Sequence, residues 1–496
     1  MDIDEARWWS LQRRPGETLR IALERTLRDA ILSGALRGGV SLPASRRLAA
    51  ALGVSRGVVT DAYDQLETQG FVVIRARAAP VVTDGARGSV ARSAPEIDLP
   101  APRYDLAPSE PDFHLFPLRR WMSTAQRVAR ECDWPTLGYR DYRGERALRA
   151  VLADRLGRTR GVIASPEQII VTQGTTQSVD ILLRVLRARR SPRFGVEDPS
   201  NPVRHKQVMA AALTLVAQPT DGDGLLIDGL SADAVLVTPA HQYPTGSVLS
   251  GERRRSLVRW ARATNSLVIE DDHDAEFRYG AEPIRALQGL APDHIAHLGA
   301  VSKTLVPALR LGWLVVPALL LEEAMHQKRL ADGFSPVLDQ LTLAAFLELG
   351  EYDRHVRKAR SVYRSRRDTL LAALARNLPG LEVVGDGAGL HVLLRLPAGV
   401  DDVAVTRSAS ERRIRVHPLS SFYVGAPRAN GLVIGYGRLH ESTAMAVVRE
   451  LAAIVRANMD GAPRAGAPRD LRPSPRRWIA PPVQLRTAQT VAPHWA

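Results

Sequence analysis

Near the start of the chain, apolar residues recur every three or four positions in three short stretches, separated by polar residues rich in arginine. In TLRIALERTLRDAILSG, Leu19, Leu23, Leu27 and Ile31 fall on one helical face, and Gly34 follows as a stop. LPASRRLAAALG predicts a second helix, capped by Ser45, that packs Leu48, Ala49 and Leu52 before turning at Gly53. Ser55 caps a third, in which Val59, Ala62, Tyr63 and Leu66 stand at i, i+3, i+4 and i+7. Two β-rich pieces, FVVIRA and PVVTD, then pair as a wing. The order of helix, helix, turn, helix and hairpin outlines a winged helix-turn-helix.

From about residue 104 the pattern changes to apolar strands that end in polar turns. EQIIVTQGTTQSVDILLRVL reads as a strand over 168–172, a glycine turn and an amphipathic helix. That places the N–H groups of Thr175 and Thr176 at a helix N-terminus, where anions are favoured. DAVLVTPAHQYPTG runs from a strand into a turn, and SLVIEDDHDAEF puts Asp271 at the carboxyl end of another. HIAHLGAVSK places Ser302 and Lys303 just past a strand, and RLGWLVVP is a strand preceded by Arg310. Open α/β sheets bind ligands beyond the carboxyl ends of their strands, so these groups are expected to meet on one edge.

Punctuation divides the chain. A winged helix is expected over 1–84, a linker over 85–103, a large α/β domain over 104–458, and a disordered Pro/Arg-rich tail over 459–496. With 496 residues the chain has room for two domains and a large core. The net charge of +14 favours a polyanionic partner, here double-stranded DNA. Arg46, Arg47, Ser55, Arg56 and Thr60, together with Arg75 on the wing, are the expected DNA contacts. A single cysteine, Cys132, excludes an internal disulfide and fits a reducing cytosol. MDIDEARWWS lacks the features of a secretory signal, and the apolar run LGWLVVPALLL is too short to span a bilayer. A cytoplasmic location is expected, with no membrane partner and no metal.

Lysine is rare: of 67 basic residues, only Lys206, Lys303, Lys328 and Lys358 are not arginine. Arginine does not give up its proton in a protein, whereas a lysine amine does and can then attack an aldehyde. A pyridoxal 5'-phosphate site needs such an amine, a carboxylate for the pyridine nitrogen, and donors with a cation for the phosphate. Thr175, Thr176, Asp271, Ser302, Lys303 and Arg310 supply that set in chain order.

The stretch LRDAILSGALRGGVSLPASRRLAAALGVSRGVVTDAYDQLETQGF resembles the GntR-type winged helix over its whole length. Downstream, TPAHQYPTG, EDDHDAEFRY and LGAVSKTLVPALRLGW resemble the MocR family, GntR-headed regulators with an aminotransferase-fold effector domain. The resemblance implies a fold-type I domain with a mixed, mainly parallel sheet and a smaller C-terminal α+β subdomain. It implies that Lys303 forms the Schiff base, that Asp271 meets the pyridine nitrogen, and that Thr175, Thr176, Ser302 and Arg310 hold the phosphate. Tyr139 would be lent to the partner subunit of a domain-swapped homodimer. Tyr243 falls where catalytic aminotransferases carry the Asn of their NPTG motif. Two positions depart from the family: His273 replaces the tyrosine of EDDYD, and Asn201 replaces an aromatic residue. Arg438, with Arg204 second, is the expected partner of an effector carboxylate. The expected function is a regulator whose operator binding responds to an amine or amino acid effector or to the cofactor itself; an active aminotransferase with a fused DNA-binding domain is the alternative.

Overall fold

The computed structural model describes residues 11–75, 78–83, 101–188, 192–280, 284–385 and 387–460. The chain divides into two compact units, Met1–Pro100 and Ala101–Ala496. Most of the expected linker, from residue 85 to Pro100, and the tail from residue 461 lie outside the described residues.

In the first unit the helices Leu19–Leu32, Ser45–Leu52 and Arg56–Thr68 precede the antiparallel pair Val72–Val73 and Val81–Val82. Leu23, Leu27, Ile31, Leu48, Val59, Ala62, Tyr63 and Leu66 form one core with Val72 and Val82. Two expectations are corrected. Leu19 is 38% exposed and stands outside that core. Ser45 is the first helical residue rather than the cap, which falls to Ala44 without a side-chain hydrogen bond. The Ser45 hydroxyl instead accepts from Arg56 Nε at 3.3 Å.

The second unit is built on an eight-stranded sheet. Its order is Ile169–Thr172, Gly312–Val315, Ile295–Ala300, Leu267–Asp271, Ala234–Val237, Arg193–Asp198, Thr214–Asp221 and Gly224–Leu225. Pairings from Ile295–Ala300 to Thr214–Asp221 are parallel, while Gly312–Val315 runs antiparallel to both neighbours. That reversal decides where the site forms. Gly312 pairs with both Thr172 and Ala300, so the start of this strand lies beside the carboxyl ends of the others. Glycine is required there: a Cβ on Gly312 would stand 2.7 Å from the Gly174 Cα.

A smaller antiparallel sheet joins Val383–Val384, His391–Arg395, Gly431–Gly435 and His417–Pro418. Its core is shared with the long helix Glu351–Asn377 and the helix Glu441–Asp460. Tyr104–Asp105 pairs in parallel with Ile414–Arg415, which leads the chain from this subdomain to Ser109 and Glu110. Among the described residues no helix is long and apolar enough to cross a membrane.

Candidate functional site

A cavity of about 310 Å³ opens at the sheet edge where the strand ends meet. Lys303 lies in its wall on the turn after Ile295–Ala300, and its Nζ donates to the Ser109 carbonyl at 2.5 Å. Burial lowers the pKa of this amine from its ordinary value; Asp274, Glu110 and Asp271 pull the other way with smaller effect. The other lysines are placed differently. Lys328 is buried but held by Asp332 at 2.6 Å and Ser335 at 3.2 Å, and Lys206 and Lys358 are exposed. Lys303, half-buried in the cavity wall, is held by a neutral carbonyl instead of an acid.

The run EDDHD carries four acids with four different fates. Glu270 accepts from the N–H groups of Leu287 at 2.8 Å and Gln288 at 3.1 Å. Asp272 takes two Arg160 nitrogens, each at 2.8 Å. Asp274 lies between His241 at 3.0 Å and His273 at 3.4 Å. Asp271 accepts from Arg204 at 3.1 Å through Oδ2. Its Oδ1 is fully buried and has no hydrogen-bond partner. An unpaired buried acceptor costs about 1–3 kcal/mol, and a pyridinium N–H is a donor of the right kind to complete it. The residues present therefore fit the cofactor.

At the other end of the cavity the helix Thr175–Arg187 begins after Gly174, which has φ 97° and no side-chain cap. Arg310, at φ 51°, packs its guanidinium beside Gly174 and donates to the Gln173 carbonyl. Ser302 lines the same wall. Open N–H groups, a helix dipole and a guanidinium make a cradle for a phosphate.

Between these ends stand the two unusual residues. The ring of Tyr243 lies edge-on to His273 at 6.0 Å and to His391 at 5.2 Å. His273 Nε2 makes no well-formed hydrogen bond, yet its charge is favoured. Burial opposes the imidazolium, but Asp274 and Asp271 outweigh it and raise the pKa to about 9. Asp274 is held well below the carboxylate range, because His273 and His241 outweigh its own burial. Asn201 also lines the cavity, with Oδ1 committed to capping the helix Pro202–Ala210 through Val203 N–H at 3.0 Å.

Comparison with known proteins decides the family. The description "Aminotransferase class I and II" matches residues 104–448, and "Bacterial regulatory proteins, gntR family" matches residues 19–82. The HTH-type pyridoxine biosynthesis transcriptional regulator PdxR of Corynebacterium glutamicum is 34% identical over 446 residues, covering 86% of this chain and 94% of its own length. The probable rhizopine catabolism regulatory protein MocR of Rhizobium meliloti is 30% identical over 446 residues, covering 85% of this chain and 90% of its own. The chain belongs to the MocR-type transcriptional regulators. The crystal structure of an archaeal alanine:glyoxylate aminotransferase is also similar, with a TM-score of 0.67 and 26% identity over 73% of this chain and 92% of that one.

In this MocR-type regulator the first unit is thus a GntR winged helix, a DNA-binding domain, and the second has the fold of pyridoxal-phosphate aminotransferases. The expected DNA contacts Arg46, Arg47, Ser55, Arg56, Thr60 and Arg75 are all exposed. The Ser55 hydroxyl accepts from Val58 N–H at 3.4 Å, and the Thr60 hydroxyl donates to the Arg56 carbonyl at 3.0 Å. Two expected residues of the second unit lie away from the cavity. Tyr139 is 98% exposed against Phe334, and Arg438 donates to Asp105 at 2.7 Å and Glu110 at 2.9 Å. Arg204 lines the cavity but is committed to Asp271, to Thr175 Oγ1 at 2.7 Å and to Gln207 at 2.8 Å.

Sequence reasoning missed three contributors. Glu197 stands one residue before the end of the strand Arg193–Asp198, lines the cavity and is 2% exposed; burial pushes its carboxyl up to about 7. Its position near a strand end was the available signal. Ser109 and the His241–Asp274 pair reach the site only through tertiary packing, which no local pattern announces.

Proposed function

We propose that this regulator holds pyridoxal 5'-phosphate on Lys303, and that its grip on an operator changes when an amine or amino acid effector, or the cofactor itself, occupies the second unit. One observation carries the reading: the half-buried Lys303, the unpaired Asp271 Oδ1 and the open helix start beside Arg310 share one cavity. When bound, the cofactor supplies an aldehyde that reacts with amines. The lowered pKa of Lys303 enlarges its neutral, nucleophilic fraction at a given pH. Asp271 would keep the pyridine nitrogen protonated, and Thr175, Thr176, Ser302 and Arg310 would hold the phosphate. His273, Asn201 and Tyr243 would flank the ring, with His273 donating where the family has a tyrosine. The exposed Tyr139 is what a residue lent across a homodimer looks like in a single subunit. Arg46, Arg47, Arg56 and Arg75 would meet phosphate or base edges in a cytoplasmic regulator.

The test uses the full chain and a duplex site selected by it from random DNA. Wild-type binding to that site should change when pyridoxal phosphate is added. The Lys303→Ala variant should bind the site and ignore the cofactor. An unchanged response in the variant would contradict the proposal.

A further inference from the structure

Amine and amino acid effectors make different demands on this cavity, because an amino acid also needs a fixed cation for its carboxylate. Among the described residues four basic side chains line the cavity: Arg204, His273, Lys303 and Arg310. Arg204 is paired with Asp271 at 3.1 Å, and His273 faces Asp274 at 3.4 Å. Lys303 is the amine reserved for the cofactor aldehyde, and Arg310 completes the phosphate cradle at the start of the helix Thr175–Arg187. Outside the cavity, Arg438 shares Asp105 and Glu110 with Arg415, two acids for two cations.

The acids are less fully matched. Glu197 Oε2 accepts from the Thr238 N–H at 3.1 Å and the Thr238 hydroxyl at 2.6 Å. Its Oε1 accepts nothing among the described residues. A bound phosphate ester would add about two negative charges beside Arg310. With Arg204 matched by Asp271, His273 by Asp274 and Arg310 by the phosphate, no cation lining the cavity is left over for a carboxylate, while Glu197 Oε1 stays an open acceptor. The cavity therefore offers an ammonium group an open acceptor and offers a carboxylate no unmatched cation.

We infer that the effector recognised beside the cofactor is a primary amine that carries no carboxylate, with Glu197 as the acceptor open to a further donor on it. This rests on the cofactor reading given above. The experiment first fixes the cofactor on wild-type protein with borohydride and locates it by peptide mass. Unreduced, cofactor-loaded protein is then titrated with propylamine, 1,3-diaminopropane and 3-aminopropanoate, followed by the visible absorption of the bound cofactor. The two amines should act at concentrations lower by roughly tenfold or more than the amino acid. Pairing Asp105→Asn with Glu110→Gln frees Arg438 and should narrow that gap. Equal or tighter binding of 3-aminopropanoate would overturn the inference, and its loss in Arg438→Ala would name the cation responsible. No response to any of the three would overturn it too, while cofactor found on Lys303 would leave the cofactor reading standing. Cofactor absent from Lys303 would remove both.

Discussion

Two helices of this regulator begin where an anion is welcome, and their surroundings could hardly differ more. The helix Arg56–Thr68 starts at the surface, capped by the Ser55 hydroxyl, with Arg46, Arg47 and Arg56 exposed around it. The helix Thr175–Arg187 starts inside a cavity, uncapped, with Arg310 and the Arg204–Asp271 pair nearby. Surface charges are screened within about 8 Å at physiological salt. The first helix therefore gains affinity only by summing many phosphate contacts, each salt-sensitive. The enclosed site works with few groups in a poorly solvated space, so each one matters and each bends its neighbours' pKa values. The same dipole serves a long polyanion in one place and a single phosphate in the other.

The contrast predicts large effects from single changes in the cavity and small ones at the head. Asp271→Asn replaces the acceptor for the pyridine nitrogen and strips buried Arg204 of its charge partner. Cofactor affinity measured by equilibrium dialysis should fall roughly ten- to a hundredfold; an unchanged value would break the assignment. Next come two pH effects in the cofactor-free protein. A group whose folded pKa is raised contributes stability at low pH and loses it as pH climbs to the folded value. For Glu197 that loss runs from the ordinary 4.5 to about 7, and for His273 from 6.5 to about 9. Each is worth at most about 3 kcal/mol. Thermal melting across pH should lose its lower fall in Glu197→Gln and its upper fall in His273→Gln. At the head, Arg56→Ala should weaken all duplexes by a similar few-fold factor and reduce the salt slope by about 1. Ser55→Ala should cost about 1 kcal/mol of winged-helix stability by removing the cap, seen by denaturant unfolding.

The head was legible almost residue by residue, because its core follows helical spacing and its turns carry glycine. The failures there were local. Ser45 has a capping residue's chemistry but stands one position inside the helix, and Leu19 keeps the period but stands outside the core. In the second unit the strands announced themselves as apolar runs, and the acid or amine at each strand end could be read directly. The antiparallel turn of Gly312–Val315, which brings Arg310 to the same edge, could not, since strand direction is set by pairing across the sheet. Nor could the partners of charge. Arg204 and Arg438 are both plausible carboxylate ligands in sequence, and folding commits one to Asp271 and the other to Asp105 and Glu110. His273 was visible as a substitution, but its charge depends on Asp274, which His241 helps to hold.

Borohydride reduction of the full chain after incubation with pyridoxal phosphate, followed by peptide mass analysis, tests the central claim most directly. One reduced cofactor should appear on the peptide carrying Lys303, with Lys206, Lys328 and Lys358 unmodified. Label on the exposed Lys206 and Lys358 with Lys303 untouched, or no label at all, would contradict the account.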